Sequence, residues 1–192
     1  MAIDYGAPTD WMGLSPQELA GIGYFRKENC ASCHSLQGKP RVGPDLANVP
    51  IKKSAAWMIE HFKHPAAMVP GSSMPAIQLS DAQLNALAAF LLKLTPRNAE
   101  ALGNAPDFAV QAALTYQTRN CGSCHQINGV GMKMGPPLNG LVRRRTKTWV
   151  AQHFANPEAL SPGSFMPPYR FSSREMDNLV AYLFKMCIRD RA

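Results

Sequence analysis

The amino-acid sequence predicts an all-α fold that is divided into two similar domains. Helix-start signals recur along the chain, and no segment shows the alternating pattern of a strand. A motif of two cysteines and a histidine occurs twice, and the residues around it recur in the same order. A length of 192 residues has room for two small domains of this kind.

The internal repeat has a period of about 92 residues. Cys30 aligns with Cys121 at an offset of 91, and one extra residue in the second copy then makes the offset 92. The matched pairs include Gly43-Pro44 with Gly135-Pro136, Trp57 with Trp149, His61 with His153, and Met74-Pro75 with Met166-Pro167. A repeat of this length has the size of a small domain. We therefore predict one domain over 1–95, a Pro-bounded linker over 96–107 and a second domain over 108–192.

Each domain is predicted to contain three main helices. Ser15 and Glu18 form a capping box that opens the first helix, which leads toward Cys30. The other predicted starts are Ser54 and Thr146 before the two tryptophans, and Ser80 and Ser172 before the last helix of each copy. In those last helices leucines recur at helical spacing, so one face of each is predicted to be buried.

Composition and charge indicate the kind of partner and argue against some classes of protein. The formal charge of +7 and a pI near 9.3 favour an acidic partner. No nucleic-acid-binding motif is present, and the aromatic residues do not alternate with basic ones as a base-stacking surface requires. No apolar run approaches the roughly 20 residues of a membrane span, and the first residues lack the features of a secretory signal.

The repeated motif is C-x-x-C-H, which is the attachment sequence of c-type haem. Two thiols three residues apart can each bind one vinyl group of the porphyrin, and the next histidine then serves as the proximal iron ligand. The six residues are Cys30, Cys33, His34, Cys121, Cys124 and His125. A structural zinc site would need its second cysteine pair much closer, and a thioredoxin-like motif would need a βαβ pattern. The sequence therefore favours two haem groups.

Two matched pairs compete for the second axial position on each iron. Met74 and Met166 are the only methionines at equivalent positions, and both lie in a Pro-Gly-Ser-x-Met-Pro loop, which is not a helical core face. His61 and His153 are also matched, although a histidine on a helix can simply be packed there. We expect methionine to be the ligand, because thioether ligation suits an electron carrier by raising the haem potential.

Further matched residues are candidates for contacts around the haem. A ligating histidine usually donates its other N–H to an acceptor, and the carbonyl groups of Pro44 and Pro136 are our candidates. Trp57 and Trp149 are predicted to donate an indole N–H to a haem propionate while their rings pack on the porphyrin. Simple core packing is the alternative for both tryptophans.

The sequence resembles class I cytochrome c, because the residues typical of that family occur in the same order in each copy. The first copy shows them as Gly21, Phe25, Cys30, Cys33, His34, Pro44, Leu46, Met74 and Phe90, and the second as Tyr116, Cys121, Cys124, His125, Pro136, Leu138, Met166 and Tyr182. Ala112 stands where the family has glycine, which should loosen the contact between first and last helices slightly. As a pair, the chain resembles tandem dihaem cytochromes c of bacterial respiratory chains and the dihaem c domains of cytochrome bc-type complexes.

The resemblance implies a dihaem electron carrier. Single electrons would pass from a quinol-oxidising or other respiratory donor to a terminal oxidase or soluble acceptor, with a membrane cytochrome b-type subunit or oxidase as partner. We expect no enzyme activity, because both copies offer the same histidine and methionine. The alternative is a dihaem redox enzyme, a peroxidase or a sulfur-compound dehydrogenase, with one open haem site.

The resemblance also implies a location on the periplasmic side of a bacterial membrane, because haem is attached in this way outside the cytoplasm. We therefore expect that the chain is exported, with a signal trimmed away or a preceding membrane segment missing. The tail from Cys187 onward breaks the apolar pattern of the last helix, and this unpaired fifth cysteine is either a reactive thiol or a dimer bridge.

Overall fold

The computed structural model describes residues 10–39 and 41–186, and over these ranges it is helical with no strand. Cys187 and the tail that follows it lie outside the described residues. The chain divides into two units, the first ending at Ala105 and the second beginning at Pro106. The predicted all-α class is confirmed. Within the described ranges, every helix is too short or too polar to cross a bilayer.

The first unit contains six α-helices among its described residues. They are α1 (Pro16–Lys27), α2 (Val49–Lys52), α3 (Ala55–Lys63), α4 (Pro65–Met68), α5 (Asp81–Leu91) and α6 (Ala99–Gly103). The capping box of Ser15 and Glu18 opens α1, and Ser80 with Gln83 opens α5 in the same way. Helices α1 and α5 pack on each other, and the rings of Phe25 and Phe90 meet edge to face at 5.8 Å. The core therefore lies between the first and last of the predicted helices.

The second unit repeats this arrangement with four helices among its described residues. They are α7 (Asp107–Thr118), α8 (Lys147–Ala155), α9 (Pro157–Leu160) and α10 (Ser173–Met186). Helices α7 and α10 pack on each other around buried residues such as Ala112 and Tyr182. Thr146 caps α8, and the Ser172 hydroxyl accepts a hydrogen bond from the N–H of Glu175 at the start of α10.

The predicted linker over 96–107 contains a helix and buried side chains, and most of it belongs to the first unit. Helix α6 lies within it, and both Ala99 and Leu102 are fully buried. One guanidinium nitrogen of Arg26 donates hydrogen bonds to the carbonyl groups of Gly103 (3.0 Å) and Ala105 (2.6 Å). This arginine satisfies carbonyls that the end of a helix leaves without an intrahelical partner. Helix α7 then begins at Asp107.

Candidate functional site

Each C-x-x-C-H motif forms a tight turn directly after the first helix of its unit. Asn29 and Asn120 precede the cysteines in the left-handed conformation, with φ of 53° and 54°. Asparagine tolerates this backbone better than most residues, so it lets the chain leave the helix sharply. One turn of 3₁₀ helix follows at Cys30–Ser32 and at Cys121–Ser123. Both thiols of each motif are thus presented from a single turn.

The two histidines of the motifs are oriented by the same contact. His34 donates from Nδ1 to the carbonyl oxygen of Pro44 at 2.8 Å, and His125 donates from Nδ1 to Pro136 at 2.9 Å. These are the acceptors that the sequence predicts. A carbonyl oxygen can only accept, so the proton is on Nδ1 and the lone pair is on Nε2. Each ring therefore has the tautomer that a metal ligand requires.

A glycine lies against the face of each of these histidine rings. A Cβ atom placed on Gly43 would lie 2.6 Å from Cε1 of His34, and one on Gly135 would lie 2.6 Å from Cε1 of His125. Such contacts are far inside van der Waals distance. The sequence pairs these glycines in the repeat but gives no reason for them, and the structure shows that any larger side chain would push the ring away from its place.

We predict that Gly43→Ala alters only the first haem centre. The added methyl group displaces the His34 ring and weakens its hydrogen bond to Pro44, which makes the imidazole a poorer donor to iron. We expect the potential of the first haem to rise by roughly tens of mV, a small part of the range of about 0.8 V over which its ligands set a haem potential. Spectroelectrochemical titration would measure it. Gly135→Ala should shift the other haem instead, and two unchanged potentials would contradict the prediction.

A cavity lies beside the histidine in each unit, and it also contains the matched methionine. In the first unit a cavity of about 210 Å³ is lined by His34, Met74 and mainly apolar side chains. In the second unit a cavity of about 690 Å³ is lined by His125 and Met166. Cys30, Cys121 and Cys124 line them as well. Apolar cavities with a few convergent polar groups are typical of cofactor sites.

The competing histidines line the same cavities and stack on the tryptophans. The rings of Trp57 and His61 lie 4.8 Å apart at 13°, and those of Trp149 and His153 lie 4.5 Å apart at 14°. The pKa values of His61 and His153 are lowered, mainly by burial and further by the charge interaction with His34 or His125. Both are therefore neutral at physiological pH. The methionine and the competing histidine of each unit line the same cavity. The cavity therefore does not show which of them is the second axial ligand.

A basic side chain covers the other face of each tryptophan. Nζ of Lys53 lies 3.9 Å from the ring centroid of Trp57, and Cζ of Arg145 lies 4.4 Å from that of Trp149. A histidine ring and a cation at these distances cannot share one face, so both faces of each indole are occupied. Trp57 and Trp149 also line the cavities, and their predicted contact with the porphyrin stays a prediction. These two cation–π contacts were not predicted from the sequence.

Burial also affects the first cysteine of each motif. Desolvation raises the pKa of Cys30 to about 11, with a smaller contribution from the negative charge of Glu28. Desolvation likewise raises the pKa of Cys121 to about 11. Both sulfur atoms are therefore uncharged at neutral pH and lie in a largely dry environment, as expected for side chains directed toward an apolar group.

Tyr116 gives the second unit a hydrogen bond that has no equivalent at Phe25 in the first unit. The hydroxyl group of Tyr116 donates to the carbonyl oxygen of His125 at 2.8 Å, while its counterpart in the first unit is Phe25, which has no hydroxyl. Burial raises the pKa of this tyrosine, so the hydroxyl stays protonated. The sequence alignment of Phe25 with Tyr116 shows the difference in side chain, but only the structure shows what the hydroxyl contacts.

Comparison with known proteins agrees with this geometry. The family model described as Cytochrome c matches the chain twice, over residues 18–95 and over residues 109–186, which together make up most of its length. No curated protein and no solved structure matches the chain. The two matches coincide with the two helical units, and each includes one complete C-x-x-C-H motif and one of the matched methionines.

Proposed function

The chain belongs to the cytochrome c family, with one domain of the family in each half, and we propose that it relays single electrons between respiratory partners. It is a tandem class I c-type cytochrome with two covalently attached haem c groups, and its chemistry is haem-based electron transfer. The observation that carries the proposal is that each cavity is lined by the histidine and a cysteine of one C-x-x-C-H motif together with the matched methionine.

The residues of each domain fit a covalently attached haem. The two thiols on one turn suit the two thioether bonds, and the Nε2 lone pair of His34 or His125 suits the proximal position. The sulfur atoms of Met74 and Met166 suit the opposite position. When bound, the haem iron supplies a one-electron couple; the protein determines its ligands, its orientation and its exclusion from water.

The other residues around each cavity have supporting roles in this proposal. Pro44 and Pro136 fix the orientation of the histidine rings. Trp57 and Trp149 would donate their indole N–H groups to a haem propionate. The apolar lining keeps water away from the iron, which favours a ligand set that stays unchanged while the oxidation state changes.

We propose that the donor is a quinol-oxidising or other respiratory complex and that the acceptor is a terminal oxidase or a soluble protein. The chain would then work on the periplasmic side of a bacterial membrane, where c-type cytochromes are typically found. The basic charge of +7 supports an acidic partner. The same ligands in both domains support a carrier, or a relay subunit of a larger complex, over an enzyme with one open haem.

The optical spectrum of the reduced, haem-loaded protein tests this proposal. We expect no change when carbon monoxide is added, because a strong protein ligand on both sides of each iron leaves no free position. Carbon monoxide binding at one of the two haems would contradict the carrier proposal and favour the redox enzyme with an open site.

A further inference from the structure

The positive charge of the chain is concentrated in its second half. Residues 1–105 contain nine lysines and arginines against eight aspartates and glutamates, whereas residues 106–192 contain eleven against five. The halves thus contribute +1 and +6 to the net charge of +7. Each haem adds two carboxylates, so the first domain becomes slightly acidic while the second stays basic. The two domains therefore offer different electrostatic surfaces to any partner.

Among the described residues of the second domain, the two most exposed large apolar side chains line its cavity. Phe165 is fully exposed and Met134 is 79% exposed, and both line the cavity. Met132 and Val130 are exposed on the same loop as Met134. A cluster of exposed apolar side chains is costly in water, and it often marks an interaction site. We call these four residues the apolar rim.

The loop that presents most of the apolar rim is well fixed. Ile127 is fully buried and exchanges backbone hydrogen bonds with Val130, and Asn128 and Asn139 hold each other through two hydrogen bonds. The N–H of Met132 donates to the carbonyl of Gly122, which lies inside the C-x-x-C-H motif. The exposed side chains are therefore held in place close to the haem-attachment turn, as a docking surface requires.

Basic residues lie on the same loop and beside it. Lys133 is exposed between two residues of the apolar rim. Arg144 donates from one guanidinium nitrogen to the carbonyls of Pro137 (2.5 Å) and Asn139 (3.1 Å), which anchors its charge at the end of the loop. Arg144 and Arg145 also line the cavity. The mouth of the cavity therefore combines exposed apolar side chains with a surrounding positive charge.

The first domain lacks this combination. The repeat alignment places Ser73 opposite Phe165, Val42 opposite Met134 and Pro40 opposite Met132. Gly38 aligns with Gly129, which has the same positive φ, so Val130 is the extra residue of the second copy. Ser73 is polar, and Val42, which is 80% exposed, is smaller than its counterpart Met134. The apolar rim is therefore specific to the second domain, and the internal repeat does not reproduce it in the first.

We propose that the apolar rim, with Lys133 and the arginines beside it, is the docking surface for an acidic redox protein, so that the chain exchanges electrons with that partner through its second domain. This rests on the proposed electron-transfer function. Opposite charges speed the encounter and fix its orientation, while a small apolar contact is enough for a short-lived complex. The first domain, close to neutral, would face the other redox partner.

Stopped-flow oxidation of the haem-loaded protein by an acidic blue-copper protein tests the proposal. With the natural chain we expect the second-order rate to fall as salt is raised, since salt screens attraction between exposed charges. Phe165→Ser installs the residue of the first repeat and should slow the reaction by roughly tenfold, because a well-placed apolar anchor is worth about 1.4 kcal/mol or more. Lys133→Gln should slow it several-fold and flatten the salt dependence.

Matched changes in the first domain are the controls. Val42→Ser and Arg41→Gln alter exposed residues of the equivalent loop, with Arg41 opposite Lys133, and should change the rate less than about twofold. Unchanged haem spectra in all four variants will show that each still folds around its cofactors. If Phe165→Ser and Val42→Ser slow the oxidation equally, the proposal is overturned. It is also overturned if a blue-copper protein with neutralised carboxylates oxidises the chain as fast as the acidic form does.

Failure of docking and failure of the proposed function can be told apart. If ferricyanide oxidises both haems rapidly while the acidic protein does not react, the docking surface is wrong and electron transfer stands. If ferricyanide also fails to oxidise a haem, the proposed function itself is wrong. A second copy of the chain is the other possible occupant. Self-association by sedimentation that is lost in Phe165→Ser, with the transfer rate unchanged, would also overturn the proposal.

Discussion

Replacement of Met74 by alanine is expected to open one haem iron to external ligands and leave the other closed. The methyl side chain of alanine cannot coordinate, so the position opposite His34 becomes free for carbon monoxide in the reduced protein. The potential of that haem should fall by ~100 mV or more, since axial thioether ligation raises it. The spectral change on adding carbon monoxide should then correspond to one haem of the two.

Two further variants decide which residue is the ligand. Met166→Ala should give the same result in the second domain, and the double variant should bind carbon monoxide at both haems. His61→Ala is the matched control, because His61 lines the same cavity as Met74. If His61→Ala opens the iron and Met74→Ala does not, the assignment of methionine is wrong and histidine is the second axial ligand.

Replacement of Gly21 by alanine is expected to destabilise the first domain by about 3 kcal/mol, the upper part of the range for overpacking in a core. A Cβ atom at this position would lie 2.6 Å from Cβ of Phe90 and even closer to the backbone carbonyl oxygen of Ala86. Backbone cannot move aside as a flexible side chain can, so α1 and α5 must separate. Thermal unfolding followed at the haem absorbance should show part of the signal lost at a lower temperature.

The second domain offers the matched control. Ala112 stands at the equivalent position of α7 and is fully buried, so α7 and α10 already accommodate the methyl group that α1 and α5 cannot. Ala112→Gly should cost only about 1 kcal/mol, the difference in helix propensity between the two residues. If Gly21→Ala costs no more than Ala112→Gly, the close approach of α1 to α5 is not important for stability.

Helix starts were predictable because capping acts over three or four residues. Ser15, Ser54, Ser80 and Thr146 each accept the backbone N–H of the residue three positions later, and all four were identified from the sequence. The acceptors for the two histidines were predictable for a related reason, since Pro44 and Pro136 follow their histidines at a short distance and recur in the repeat.

Contacts between distant segments were not predictable in this way. The fold of the segment over 96–107 depends on Arg26, which lies 77 residues before the carbonyl group of Gly103. The spacing of Lys53, Trp57 and His61 places them on one side of α3 and the residues before it, but nothing in the sequence says that the three would stack. Likewise, the exposure of Phe165 depends on how the other segments of its domain pack around it.

The fixed histidine rings have a consequence for the speed of electron transfer. Each ring is held at Nδ1 by a proline carbonyl and lies against a glycine on its face, so it has little freedom to rotate. When the iron gains or loses an electron, the atoms around it must rearrange as little as possible if the step is to be fast. A ligand that is already locked in place by the polypeptide makes that reorganisation small, as preorganised groups do in enzymes. With the histidine as the iron ligand, the proline and the glycine would therefore lower the kinetic barrier without contacting the iron.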